Sequence, residues 1–384
     1  MKICLVGLHN LSVLLPEYKN HYVGGEPVQQ TLLARALARR GQEVSMVVAD
    51  YGQIDGLDCK TIRVFKAYRL DAGIPVLRFI HPRWTGLWSA LVRADADLYY
   101  TSCAGMELGL LALFCRYFGK RLVFRSASDT DCDKSRLLVK HARDRWLYAF
   151  GLRRADAILV QSASQAQTLL RSYGLRSRVA GMLVESPLSV PTRDIDVLWV
   201  GNIRHIKRPD RVLELARQLP HVKFHMVGGA MPGSEDLFQN VEAAAQATAN
   251  LTFHGRLSYW DANDLYGRAK LLVNTSDVEG FPNSYLQAWI RGVPVVTLID
   301  PDRVLEREEL GTAVSSPTGL AGAMETLLGS QAAWQATSDR CRRFMAREFG
   351  EDNILSDYLE TFEQAMRSGP ADSRAIPSSE VPRA

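Results

Sequence analysis

The chain has 384 residues, of which 47% are hydrophobic and 23% charged, with a formal net charge of +4. That length exceeds one ordinary core and predicts two domains of a globular protein, while so small a positive excess gives no electrostatic footprint for nucleic acid. Cys4, Cys59, Cys103, Cys115, Cys132 and Cys341 are scattered, without a C-x-x-C pair or a nearby histidine cluster. This argues against a disulfide frame or structural zinc, and for reduced thiols in a cytoplasmic setting.

MKICLVGL reads as a first strand and not a signal peptide, because its apolar stretch is short and no small-residue cleavage site follows. EPVQQTLLARALARRG (Glu26 to Gly41) places Val28, Leu32, Leu33, Ala36 and Leu37 on one face and stops at a glycine, as a helix does. EVSMVVAD is the next strand. DLYYTSCA, GMELGLLALFCRYFGK and RLVFRSAS repeat strand, helix, strand, and ADAILVQSAS with QAQTLLRSYG does so again. The apolar run LGLLALFC is flanked by Glu107 and Arg116 and falls short of the roughly 20 residues a membrane span needs, so it reads as a buried helix.

The pattern lapses in SPLSVPTRDID (Ser186 to Asp196), which suits a linker, and then restarts with VLWVGN, RPDRVLELARQL, VKFHMVGG, LTFHG, SYWDANDLYGRA and KLLVNTS. Short apolar strands alternating with amphipathic helices imply parallel sheets covered on both faces. The predicted fold class is α/β, two doubly wound parallel-sheet domains. The expected boundaries are 1–188, 189–345, a final helix 346–367 returning to the N-terminal domain, and a Pro/Ser-rich disordered tail, 368–384.

SDVEGFPNSYLQAWIRGVPVV (Ser276 to Val296) follows a strand, and ligands of open parallel sheets sit beyond the carboxyl ends of strands. Pro282 suits a helix start and Gly292 a helix stop. The helix N-terminus near Asn283 would then offer free N–H groups to a phosphate. Glu279 is a poor phosphate ligand but a good acceptor for sugar hydroxyls, and Gln287 could meet a vicinal diol through both its carbonyl and its amide. An acid and an amide flanking an anion site fit a nucleotide sugar; the bland alternative is a dipole-favoured Glu279 and a surface Gln287.

At these residues the sequence resembles the family 4 retaining glycosyltransferases, whose GT-B fold has two facing Rossmann-like domains. The signature of an acid, seven residues, a second acid and a G-x-P-V-V strand reads here Glu279-GFPNSYL-Gln287, then AWIRGVPVV. The resemblance implies that Glu279, with Gly280, Phe281, Pro282 and Asn283, holds the donor sugar and diphosphate, and that Gln287 replaces the ribose-binding acid. VLWVGNIRHIKRPDRVLEL resembles the second signature. Gly201 and Lys207 fall in place, Asn202 stands where Arg is usual, and Arg204 is the possible stand-in. Lys207, Arg204 and Glu279 are therefore the catalytic candidates, with the two cations neutralising the leaving diphosphate. HYVGGEPVQQ resembles the glycine-rich loop, which implies that Gly24 and Gly25 approach the donor phosphate. The His that many members carry is replaced by SASDTDCD. Ser126, Ser128 or Asp129 occupies its neighbourhood, and Asp129 either touches a sugar or caps a helix.

The resemblance implies a retaining front-face reaction in which the donor phosphate takes the acceptor's proton. The co-substrate is a UDP- or GDP-linked sugar and the acceptor a glycan or lipid-linked molecule, in bacterial surface polysaccharide synthesis. No metal and no other cofactor is expected. Residues 134–154 interleave Lys134, Arg136, Lys140, Arg143, Arg145, Arg153 and Arg154 with apolar side chains. They form either a peripheral contact with the inner face of the membrane or a helix with a solvated basic face. Two rival functions stay open. A sugar-nucleotide epimerase of the same fold would leave a nucleotide sugar as product, and a non-catalytic binding subunit would release no diphosphate.

Overall fold

The computed structural model describes residues 1–19, 21, 24–75, 77–187, 192–231 and 233–367. β1 (Lys2–Val6), β2 (Glu43–Val48), β3 (Leu57–Cys59), β4 (Ile62–Lys66), β5 (Leu98–Ser102), β6 (Arg121–Arg125), β7 (Ala157–Val160) and β8 (Arg178–Val179) make one sheet, in the order β3-β4-β2-β1-β5-β6-β7-β8. All its pairs are parallel except β3 with β4. β9 (Ile195–Val200), β10 (Phe224–Val227), β11 (Leu251–Phe253), β12 (Ala269–Asn274), β13 (Val295–Thr297) and β14 (Gly311–Ala313) make a second, wholly parallel sheet, in the order β11-β10-β9-β12-β13-β14.

The near-continuous apolar strands follow from burial on both faces. In β1, Ile3 and Leu5 pack with Leu33 and Leu37 of the helix Gly25–Arg39, while Cys4 and Val6 pack on the other side with Leu111 and Phe114 of the helix Met106–Phe118. In β12, Leu272 meets Tyr285 and Trp289 of the helix Asn283–Ile290, and Leu271 and Val273 meet Val212 and Leu215 of the helix Pro209–Gln218. All six cysteines are free thiols.

The helix Gln331–Glu348 contributes Cys341, Phe344 and Met345 to the second domain's core. The helix Glu351–Arg367 belongs elsewhere: its Ile354, Leu355, Tyr358, Phe362 and Ala365 join the core of the first sheet. Its Tyr358 and Phe362 rings meet Tyr100 of β5 edge-on, at 6.2 and 6.0 Å. The chain therefore crosses between domains a second time near Phe349. Part of the expected linker, 188–191, and the expected tail, 368–384, lie outside the described residues.

In each sheet the strand order reverses beside the first strand, between β1 and β5 and between β9 and β12, and such switch points open the crevices where ligands bind. The two crevices face one another. Since Phe362 is wholly buried against the first sheet, Phe362→Ala is expected to cost that domain about 3–5 kcal/mol, measured by urea unfolding. No loss would mean that the last helix is not part of that core.

Candidate active site

A cleft of about 680 Å³ separates the two switch points. On the C-terminal side Lys207 ends a short helical turn, His205–Lys207, after β9, and Glu279 sits in the loop after β12. Their side chains meet, with Lys207 Nζ 2.5 Å from Glu279 Oε1. Ser276 Oγ donates to the same oxygen at 2.7 Å, and Asn274 Nδ2 does so at 3.4 Å. Glu279 thus has one oxygen held by three donors. The two loops are stitched below the pair. Thr275 Oγ1 donates to the Lys207 carbonyl at 2.9 Å, Trp199 Nε1 donates to Thr275 Oγ1 at 2.9 Å, and the Asp277 N–H donates to the Ile206 carbonyl at 2.9 Å.

The helix Asn283–Ile290 begins beside this pair and ends at Gly292, whose φ of +68° breaks it. Pro282 is its N-cap, one residue earlier than a first-turn proline. Gly24, Gly25, Asn202, Arg204, Lys207, Glu279, Gly280, Phe281, Pro282, Asn283 and Gln287 all line the cleft. Arg204 is exposed at its rim. Gln287 is 5% exposed, and its carbonyl oxygen accepts from Arg291 Nη1 at 2.8 Å, one helical turn on. The expectation of a diol held by both its carbonyl and its amide is corrected accordingly, because Arg291 occupies the carbonyl and leaves the amide N–H groups.

Asp129 is not among the cleft residues. Its carboxylate accepts from Gln165 Nε2 at 3.0 Å and lines a separate cavity with Arg136 and Arg171. Nor is it a cap. Ser128 Oγ accepts from the Thr130 N–H at 3.3 Å, and Asp131 Oδ2 accepts from the Ser128 N–H at 3.2 Å, a reciprocal box around the turn Asp129–Cys132.

The N-terminal wall holds residues that sequence reading did not single out for the site, among them Glu26, Ser102, Glu107, Arg125 and Asp131. Burial pushes the Glu26 carboxyl up to about 7, aided by Glu107 and opposed by hydrogen bonds from Ser102 and Gln30. Burial also raises Asp131, to about 6, against the pull of the Ala127 and Ser128 N–H groups. Arg125, at the end of β6, is 2% exposed. The signal available in the sequence was position alone: an acid directly after the double glycine, and acids just beyond parallel strands.

Several contacts join the walls. Gln29 Nε2 donates to Asn283 Oδ1 at 2.7 Å, and the Phe281 N–H donates to Gln161 Oε1 at 3.0 Å. Asp302 accepts from the Ala163 and Ser164 N–H groups at 3.0 and 3.3 Å, capping a helix of the opposite domain. A Cβ at Gly280 would stand 2.3 Å from Gln161 Oε1 and 3.2 Å from the Ala127 carbonyl, so only glycine lets that loop touch the other domain.

Two doubly wound domains facing across a cleft are the GT-B architecture. Residues 194–330 match the glycosyl transferases group 1 and residues 24–181 the glycosyl transferase 4-like domain, so the chain is a glycosyltransferase of that type. Sucrose-phosphate synthase from Thermosynechococcus elongatus is similar in structure, with 20% identity, a TM-score of 0.74, and coverage of 94% of this chain and 98% of that one. So is Anabaena HepE in complex with UDP and glucose, with 15% identity, a TM-score of 0.71, and coverage of 94% and 99%. A glycosyltransferase from Rickettsia africae shares 13% identity, with a TM-score of 0.67 and coverage of 95% and 98%. No curated protein matches the sequence.

Gly280→Ala is expected to push the domains apart, raising the radius of gyration measured by small-angle X-ray scattering. An unchanged radius would show that the contact at Gly280 does not hold the cleft closed.

Proposed function

We propose that this glycosyltransferase moves a sugar, with retention of configuration, from a UDP- or GDP-linked donor to a hydroxyl of a glycan or lipid-linked acceptor. The observation that carries the reading is the convergence of Lys207, Glu279 and the start of the helix Asn283–Ile290 on one side of the cleft. A nucleoside diphosphate leaves with negative charge, and a cation beside a helix N-terminus is the environment that stabilises it. Lys207 is assigned that task, with Arg204 at the rim as a second cation. Glu279 is already neutralised by Lys207 through Oε1, and its other oxygen serves to orient the donor sugar's hydroxyls. Gln287 donates its amide N–H groups to the ribose, with no charge assistance. No metal is assigned a part. The UDP and glucose bound by HepE agree with this donor class. Bacterial surface polysaccharide assembly is the proposed setting, on family resemblance.

Thermal stabilisation by UDP, GDP and ADP, on wild type and Lys207→Ala, tests the reading. A ligand at a hundred times its dissociation constant should stabilise by about 2.7 kcal/mol. One nucleotide is expected to shift the wild type and to shift the variant much less. No shift with any of them would refute the donor site.

The same reading places the acceptor side near an anionic membrane surface. Only Ala142–Leu152 of the basic stretch is helical, with Leu147, Tyr148 and Leu152 buried. Trp146 is 64% exposed and stacked on Phe150, and Arg143 lies over the Phe79 ring. Leu138 and Val139 of this stretch reach the cleft lining. No helix of the described residues is long and apolar enough to cross a membrane. Reversing the charge of Lys140, Arg143 and Arg145 together is expected to abolish binding to phosphatidylserine vesicles, and binding that survives would contradict the contact.

A further inference from the structure

Resting on the membrane-side acceptor of the reading above, we propose that Ile74, Leu77 and Ile80 form an aliphatic ridge that inserts into an anionic bilayer beside the basic helix Ala142–Leu152. The basic stretch alone would rest on lipid headgroups. The ridge adds a contact that reaches below them.

Exposure is the first argument. Ile74, Leu77 and Ile80 are 68%, 57% and 58% exposed, and no residue of the two short turns Leu77–Phe79 and Ile80–Trp84 is buried. The three aliphatics recur at intervals of three, and in a 3₁₀ turn such as Leu77–Phe79 side chains three apart stand one above the other. The Arg78 N–H donates to the Ile74 carbonyl at 2.8 Å, which joins Ile74 to the same coil. A single exposed aliphatic is ordinary, but three gathered on one turn mark an interaction surface.

The second argument is how the ridge is held. Arg143 of the basic helix lies over the Phe79 ring, 3.6 Å from its centre, and Phe79 meets the Trp84 ring edge-on at 5.9 Å. Phe79 stands between Leu77 and Ile80, so this contact joins two distant segments into one face. Directly after the ridge, the helix Thr85–Ala94 buries Leu87, Ala90 and Leu91 in the core of the first domain. The aliphatic side chains therefore project from a fixed base.

Charge identifies the occupant. Arg69 and Arg78 are exposed on the ridge's own segment, and Lys140, Arg143 and Arg145 on the segment it touches. The acids of these two segments, Asp71 and Asp144, are each paired, with Arg69 at 3.0 Å and with Arg143 at 2.8 Å. The ridge thus has a positive rim, and Trp146, exposed on the same helix, is a residue type that settles at headgroup level. Anionic headgroups meet such a rim while acyl chains meet the aliphatics, and long arginine stems let their charges stay among the headgroups as the ridge sinks. The position also serves the reaction. Arg83, at the end of the ridge segment, and Leu138 and Val139 beside the basic helix line the cleft. A lipid-linked acceptor held in the bilayer would present its head at that mouth.

Co-sedimentation of the whole chain with phosphatidylcholine vesicles, with and without phosphatidylserine, tests the ridge. Wild type is compared with a variant combining Ile74→Ser, Leu77→Ser and Ile80→Ser, and with the charge reversal of Lys140, Arg143 and Arg145. The serine variant alters no charge, yet it is expected to bind phosphatidylserine vesicles at least about tenfold more weakly than wild type. Its melting temperature and its stabilisation by nucleotide should be unchanged, because all three side chains are exposed. A polarity-sensitive fluorophore on Leu77→Cys is expected to shift to the blue on binding, with the wild-type chain labelled alike as the blank. Equal binding by the serine variant, or no blue shift, would overturn the ridge, and the basic contact would stand if charge reversal still abolished binding. A wild type that binds no vesicle would overturn the ridge and the membrane contact together, while its response to nucleotides judges the donor site separately. A wild-type dimer that the serine variant dissolves into monomers in light scattering, without vesicle binding, would assign the ridge to a second copy and overturn the proposal.

Discussion

The contact between Lys207 and Glu279 at 2.5 Å is the interaction around which the site is arranged. Neither residue would sit in place without the other's loop, since the backbone of 206–208 and that of 275–277 are bonded to one another under the pair. A lysine alone at the mouth of a buried crevice would hold anions indiscriminately. A glutamate alone would repel them. Paired, they leave a neutral, hydrogen-bonding surface at which an arriving diphosphate can take over the ammonium and sugar hydroxyls can meet the free carboxylate oxygen. The bound state would exchange one partner of Lys207 for another and leave Glu279 to Ser276, Asn274 and the sugar hydroxyls.

Everything else in the molecule brings the second wall to that pair. The closing helix Glu351–Arg367 ties the far end of the chain to the first sheet, so that two covalent crossings limit how the domains can move. Polar contacts span the cleft through Gln29, Gln161 and Asp302, and Tyr259 of the second domain also joins the first domain's core. Polar contacts of this kind can open to admit a nucleotide sugar and re-form around it, whereas an apolar interface of comparable size would resist opening. Because Phe281 and Asn283 are themselves the residues held across the gap, donor binding and closure act on one loop.

Much of this was legible in the sequence where the information is local. Both sheets were, because strands buried on two faces leave unbroken apolar runs at regular intervals. The Lys207 turn and the Glu279–Gln287 stretch were, because each lies within one strand–loop–helix unit whose spacing is preserved on folding. The N-terminal wall was not. Glu26, Ser102 and Asp131 come from segments far apart in the chain and meet only through the order β1-β5-β6, which no spacing records. Two errors have local causes. Asp129 was considered and Asp131 was not, although a serine followed three residues later by an acid is a capping box that turns the later acid inward. Gln287 was given a free carbonyl although an arginine stands one turn further on, within reach on the same helix face.

The most direct measurement of the central claim is diffraction from crystals grown with the nucleoside diphosphate that stabilises the protein. The account predicts density for the diphosphate against Lys207 and the start of the helix Asn283–Ile290, with the ribose at the Gln287 amide and the Glu26 wall left open for an acceptor. Diphosphate density on the Glu26 and Asp131 side of the cleft, with the Lys207–Glu279 pair untouched, would contradict it.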